Sequence, residues 1–184
     1  MISQASRLFA LLLLLTAGGC TGGSATGNDP PELIYGRLGM SEGRFLKPRA
    51  IAIDQADRIY ICDTTARIQV FDTTGKYLRG WQTPVWANGR PTGLGVDRGG
   101  RILVPDTHYY RVLIYSDSGE LLQTIGGTQG PGPGEFGWVT DCEQDAEGNL
   151  YVSEYGEWDR VQKFTRDGKF IRQWGGHGVE RGQF

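Results

Sequence analysis

Apolar residues in this chain come in short alternating runs, broken every few residues by a polar turn, and the runs return in a constant order. Arg49-Ala-Ile-Ala-Ile-Asp54 is followed by Arg58-Ile-Tyr-Ile-Cys-Asp63, Arg67-Ile-Gln-Val-Phe-Asp72 and Gly75-Lys-Tyr-Leu-Arg-Gly-Trp81. The order repeats as Thr92–Asp97, Arg101–Asp106, Arg111–Tyr115 and Gly119–Ile125. It repeats more loosely as Asp141–Asp145, Asn149–Glu154, Arg160–Phe164 and Gly168–Trp174. Asp54, Asp97 and Asp145 lie 43 and 48 residues apart. Period-2 alternation over five or six residues predicts strands rather than helices.

Within each repeat the first strand sets small residues against branched ones: Ala50 and Ala52 against Ile51 and Ile53, then Gly93 and Gly95 against Leu94 and Val96. That pattern suits a strand clamped between two neighbouring sheets. Ile59/Ile61, Ile102/Val104 and Leu150/Val152 supply a second strand of largely β-branched residues. Arg98-Gly-Gly-Arg101 and Ala146-Glu-Gly-Asn149 read as hairpin turns, as do the segments ending at Gly75, Gly119 and Gly168. Each repeat is therefore expected to be a four-stranded antiparallel meander, apolar on both faces, that must stack on copies of itself. A period of about 40–50 residues holding four short strands is the spacing of a β-propeller blade. The fold class is all-β, with about three blades.

Gly-x-Phe recurs at Gly43–Phe45, Gly134–Phe136 and Gly182–Phe184, ahead of the Asp-terminated strands and the Arg-Ile/Val runs. In this order the motifs resemble the NHL-repeat family of six-bladed propellers over residues 33–184. The resemblance implies blades at roughly 45–81, 90–127 and 136–176, half of a six-bladed ring. Glu32-Leu-Ile-Tyr-Gly36 matches a fourth strand without its first three, and residues 182–184 match the opening of a further blade. On this phase the chain is expected to be a truncated ring, or one that a homodimer completes.

The N-terminus reads differently. Arg7, the apolar run Leu8–Leu15 and the small residues Thr16–Gly19 have the order of a signal peptide over residues 1–19. Cys20 stands where bacterial lipoproteins carry their lipid, and residues 20–31 read as anchor and flexible tether. The expected location is the bacterial cell envelope, lipid-anchored, with a periplasmic or secreted form as the alternative. The formal charge of −2 becomes −3 without residues 1–19, because 18 Lys+Arg then face 21 Asp+Glu. No basic stripe exists for nucleic acid. Cys62 and Cys142 lie inside strand patterns of different repeats and are expected to be buried and unpaired.

Propeller topology puts the entry to strand one and the loop between strands two and three on one face. Arg49, Thr92, Thr140 and Asp141 belong there, with Trp86, Tyr109, Tyr110, Trp138, Tyr155 and Trp158. These aromatics and Arg49 are the candidate ligand-binding set, for a protein or a glycan. Asp63/Arg67, Asp106/Arg111 and Glu154/Arg160 recur in every repeat and are expected to brace a loop as ion pairs. Asp141 and Glu143 interrupt the small-residue pattern on one face of their strand and are the weak candidates for Ca²⁺. Amidating lyases of the resembling family bind zinc through histidines after the strand-one proline. The positions here are Arg49, Thr92 and Thr140, and the two histidines, His108 and His177, fall in a loop and a linker.

The expectation is a binding or scaffold module with no cofactor. The alternatives are a propeller enzyme, amidating-lyase-like or a Ca²⁺-dependent hydrolase, with Ca²⁺ or Zn²⁺ in the complete ring, and an inactive fragment.

Overall fold

Three four-stranded antiparallel meanders stack face to face in chain order. The computed structural model describes residues 31–184. Blade one comprises β1 (Pro48–Ile53), β2 (Ile59–Asp63), β3 (Arg67–Phe71) and β4 (Tyr77–Gln82). Blade two comprises β5 (Gly95–Val96), β6 (Ile102–Asp106), β7 (Arg111–Tyr115) and β8 (Leu121–Gly126). Blade three comprises β9 (Trp138–Gln144), β10 (Leu150–Tyr155), β11 (Arg160–Phe164) and β12 (Phe170–Gly175). One 3-10 turn, Thr107–Tyr109, is the only helical element among the described residues.

The hairpins between first and second strands close on an aspartate. Asp54 accepts hydrogen bonds from the backbone N–H groups of Ala56 and Arg58, from Arg58 Nε at 2.7 Å and from the Tyr60 hydroxyl at 3.0 Å. Burial pushes its carboxyl up, but these donors outweigh burial and hold it below the ordinary value. The Tyr60 hydroxyl is pushed up to about 12, by burial first and by its bond to Asp54 second. Asp97 repeats the arrangement with Gly99 and Arg101, and Asp145 repeats it with Asn149, Tyr151 and Lys163.

Alternation then sorts each strand between two interfaces. We call the face toward the following blade leading and the other trailing. Ala52, Tyr60, Cys62, Ile68 and Val70 on the leading face of blade one meet Leu94, Ile102, Val104, Leu113 and Tyr115 of blade two. Leu103, Val112, Ile114 and Ile125 of blade two meet Val139, Cys142, Leu150, Val152 and Phe164 of blade three. Burying each such side chain contributes about 1.5–3 kcal/mol. The small residues on strand one follow from the closeness of the blades. A Cβ at Gly93 would lie 2.5 Å from Thr140 O, and one at Gly95 would lie 2.9 Å from Cys142 O. Cys62 and Cys142 are buried and free.

Gly-x-Phe has a structural job. Phe136 packs against Gly126 and the Phe164 ring, and Phe45 packs against Gly36 and the Phe71 ring. The loops ahead are held by buried glutamines of the third strands. Gln69 accepts from Gly43 N and donates to Arg44 O, and Gln162 accepts from Gly134 N and donates to Glu135 O.

Three expectations need correction. Residues 32–36 are not a strand, because no third strand among the described residues lies beside them to complete a ladder. Their placement is nevertheless that of a fourth strand: Tyr35 lies over Gly75 as Trp81 lies over Gly119 and Ile125 over Gly168. The first strand of blade two shortens to Gly95–Val96. Finally, blade three is not apolar on both faces. Its leading face carries Asp141, Glu143, Ser153 and Lys163 at register positions that in blade one hold Ala50, Ala52, Cys62 and Val70.

Candidate functional site

Loops at one end of blade three build an aromatic recess of about 320 Å³, walled by Trp138, Tyr155 and Trp158, with Gln129, Gly137, Gly156 and Glu157 completing the lining. Trp138 opens β9 and Tyr155 closes β10, and the register pairs them directly. Their rings lie 5.1 Å apart at 54°, a tilted pair. They remain 42% and 48% exposed. A wider groove of about 650 Å³ beside β3 and β4 gathers mostly structural residues, among them Arg67, Gln69 and Gly80.

The recess has a rigid backing. Glu154 is fully buried and Arg160 almost so, with Arg160 Nε 2.5 Å from Glu154 Oε1. The same guanidinium donates to Gly130 O at 3.0 Å, Glu135 O at 2.9 Å, Gln173 Oε1 at 3.0 Å and Pro131 O. It also lies 5.8 Å from the centre of the Trp158 ring. Gly137 N donates to Glu154 Oε2, so the pair holds the backbone just before Trp138. Asp159, at positive φ, accepts from Gly156 N at 2.8 Å and pairs with His177 Nδ1 at 2.5 Å. The hydrogen bonds from His177 and Gly156 N hold its carboxyl below the ordinary range.

The other repeated pairs form in graded versions. Arg67 Nη2 is 2.7 Å from Asp63, and Arg67 also reaches Arg44 O and Met40 O in the loop before β1. Asp63 is further satisfied by Leu46 N and Thr65 N, which with Arg67 and the Thr65 hydroxyl overcome burial and hold it low. Arg111 is 2.8 Å from Asp106, but Asp106 Oδ1 is buried without a partner. Burial therefore dominates and raises the Asp106 carboxyl.

The predicted ligand-binding residues do not form one surface. Trp138, Tyr155 and Trp158 come together in the recess. Trp86 is exposed on the connection between blades one and two, and Tyr109 holds that connection through its hydroxyl and Asn88 N. Arg111 lies over the Tyr109 ring at 4.8 Å. Tyr110 packs against the interface of blades two and three, where it joins the core. Arg49 lines a hollow on the trailing side of blade one with Tyr35, Phe45 and Ile51. Neighbouring strand-one entries point into differently packed connections, so sharing a topological face did not bring the side chains together. Gln129 and Glu157 are recess residues the sequence reading passed over. Glu157 adjoins Trp158 in sequence, whereas Gln129 sits in an inter-blade loop that carries no repeat signal.

Asp141 and Glu143 are both exposed on the leading face, flanking buried Cys142. Burial, then the neighbouring Asp141, raises the Glu143 carboxyl. Among the described residues no group of three His, Cys, Asp or Glu side chains converges on a cation position. The strand-one positions of the zinc reading fit no better. Thr92 Oγ1 is bonded to Thr107 Oγ1 at 2.6 Å, Thr140 Oγ1 to Ser153 Oγ at 2.8 Å, and Arg49 is a cation. His177 is engaged by Asp159 rather than simply solvated. Cys20 and the signal segment lie outside the described residues.

Stacked four-stranded meanders of this kind are β-propeller blades, and solved structures agree. The chain is similar to a streptogramin B lyase structure at 17% identity and TM-score 0.57, over 74% of this chain and 42% of that one. It is similar to virginiamycin B lyase from Staphylococcus aureus at 13% identity and TM-score 0.58, over 72% and 42%. A protein of unknown function from Bacteroides caccae matches at 15% identity and TM-score 0.51, over 73% and 50%. The chain thus spans half or less of the length of these structures, and at these identities the likeness speaks for the fold. No family model and no curated protein matches the sequence.

Proposed function

We propose that this chain is an NHL-type propeller segment serving as a binding module, and that it holds a glycan against the aromatic recess of blade three. One observation carries the reading: Trp138 and Tyr155 stay about half exposed although they wall, with Trp158, a recess braced from behind by a buried ion pair. Large aromatics kept open on a rigid frame are what flat sugar faces stack on, and Glu157 and Gln129 stand at the rim for hydroxyl groups. At about 320 Å³ the recess is at the small end of ligand sites, which suits one ring of a longer chain. The enzyme reading draws on the printed names of two similar structures. The strand-one residues Arg49, Thr92 and Thr140 offer it no histidine and no free acid–base group.

Titration calorimetry with a panel of soluble oligosaccharides tests the reading. Binding is expected for the wild type and a loss of at least tenfold for Trp138→Ala and Trp158→Ala. Equal affinity in all three proteins, or no binding by any oligosaccharide, refutes it. A protein ligand would instead be retained in pull-downs that free sugar does not compete.

The module stands off the membrane on a lipid at Cys20, through the polar tether that follows. This part rests on the order of charged, apolar and small residues before Cys20. Intact-mass measurement on protein from bacterial membranes tests it: Cys20→Ser is expected to lose both the lipid mass and the membrane fraction.

A further inference from the structure

Two sheet faces have no neighbour among the described residues, the trailing face of blade one and the leading face of blade three. They are built differently. The first carries Ile51, Ile53, Ile59 and Ile61, in register with Leu94, Val96, Ile102 and Val104, which blade two packs against blade one. Ile51 and Ile53 are 61% and 59% exposed. Beside them a hollow of about 410 Å³ opens between Phe45, Ile61 and Tyr35. The face is shaped like one that, in the next blade, is fully covered.

The other open face does not match it. Between blades two and three, strand one approaches strand one so closely that Gly93 and Gly95 have no room for a Cβ. Asp141 and Glu143 hold the equivalent positions on blade three, with Lys163 one row outward where blade one has Val70. At the same spacing the two carboxylates would collide with a following strand, and against isoleucine they would lose water without gaining a partner. The outer edge adds an independent obstacle. Leu33–Gly36, through the Tyr35–Phe71 contact at 5.3 Å and Tyr35 over Gly75, already occupy the place of the fourth strand of any covering blade. Blade three brings its own fourth strand, β12.

We infer that the isoleucine face of blade one is a docking face for a three-stranded β-meander of a different polypeptide, one with alanine- or glycine-sized residues on its first strand. Leu33–Gly36 complete that meander as its fourth strand, and a second copy of this chain does not fill the face. The inference is independent of the glycan reading of the recess, which lies on another blade.

Sedimentation velocity on the full chain tests it, with circular dichroism confirming that each variant is folded. The wild type is expected to show no dimer that Ile51→Lys disrupts. Giving blade three the matching chemistry (Asp141→Ala, Glu143→Ala and Lys163→Val, with residues 33–36 deleted) is expected to create a dimer at least about tenfold tighter than any wild-type association. Adding Ile51→Lys to that variant abolishes the dimer. Should the triple substitution unfold the protein, Asp141→Ala with Glu143→Ala in the same deletion background gives the same readout. A wild-type dimer broken by Ile51→Lys makes a second copy the occupant and overturns the inference. A folded variant that associates no more tightly than wild type overturns it as well.

Discussion

Replacing Arg160 with methionine removes a charge from behind the aromatic recess while keeping most of the side chain's bulk. In the wild type the guanidinium pairs with the fully buried Glu154 and donates to three backbone carbonyls of the loop between blades two and three. Methionine leaves the Glu154 carboxylate without its cation and strips Gly130, Pro131 and Glu135 of donors at one stroke. Truncating one partner of a buried pair costs about 3–5 kcal/mol. For a domain of this size each kcal/mol lowers the melting temperature by about 2–4 °C, so a fall of roughly 6–20 °C is expected. Arg160→Lys keeps the charge but loses the fork, and should recover only part of it. Calorimetric melting decides the matter. Because Arg160 also backs Trp158, tryptophan emission at temperatures where the variant is still folded should shift toward the red. A drop in stability below about 1 kcal/mol would place the pair among inconsequential surface bridges and refute the argument.

The close approach of blades two and three predicts that Gly93→Ala, whose Cβ would meet Thr140 O at 2.5 Å, destabilises by about 1–3 kcal/mol in a denaturant melt. Alanine already occupies the comparable positions 50 and 52 of blade one. Low pH should weaken the fold, because Asp54, Asp63 and Asp145 are held below the ordinary 3.8 and their stabilisation is lost as pH falls from there toward their folded values. Asp106 has the opposite sign. Its raised carboxyl favours the fold below 3.8 and loses that contribution as pH rises through its folded value, so Asp106→Asn should make stability climb more steeply with pH just above 3.8. Burial lifts the Cys62 thiol to about 12 and raises Cys142 as well, so in a Cys20→Ser protein a thiol reagent should label neither until denaturant is added.

Much of the candidate site was visible in the linear pattern, though not its grouping. Trp138, Tyr155 and Trp158 could be chosen because they flank strand ends where a meander turns. Tyr110 flanks a strand end too, yet its backbone adopts the left-handed conformation and its ring joins the core. Distinguishing these outcomes takes the local path of each connection, which repeats do not encode. The acid–arginine pairs were legible from recurrence. That Asp106 lacks the backbone donors serving Asp63 was not, since those donors come from the preceding inter-blade loop.

Alternation of branched and small residues every second position, returning with the length of one meander, sufficed to specify strands, blades and their stacking, because those follow from local geometry and from burying apolar faces. Tertiary structure alone decided how near adjacent first strands come. That distance turns Gly93 and Gly95 into steric necessities and makes Asp141 and Glu143, ordinary acids in the one-dimensional pattern, the mark of a face unlike the others. Separation between sheets is set by the packed side chains of two blades together, and no single stretch of sequence contains it.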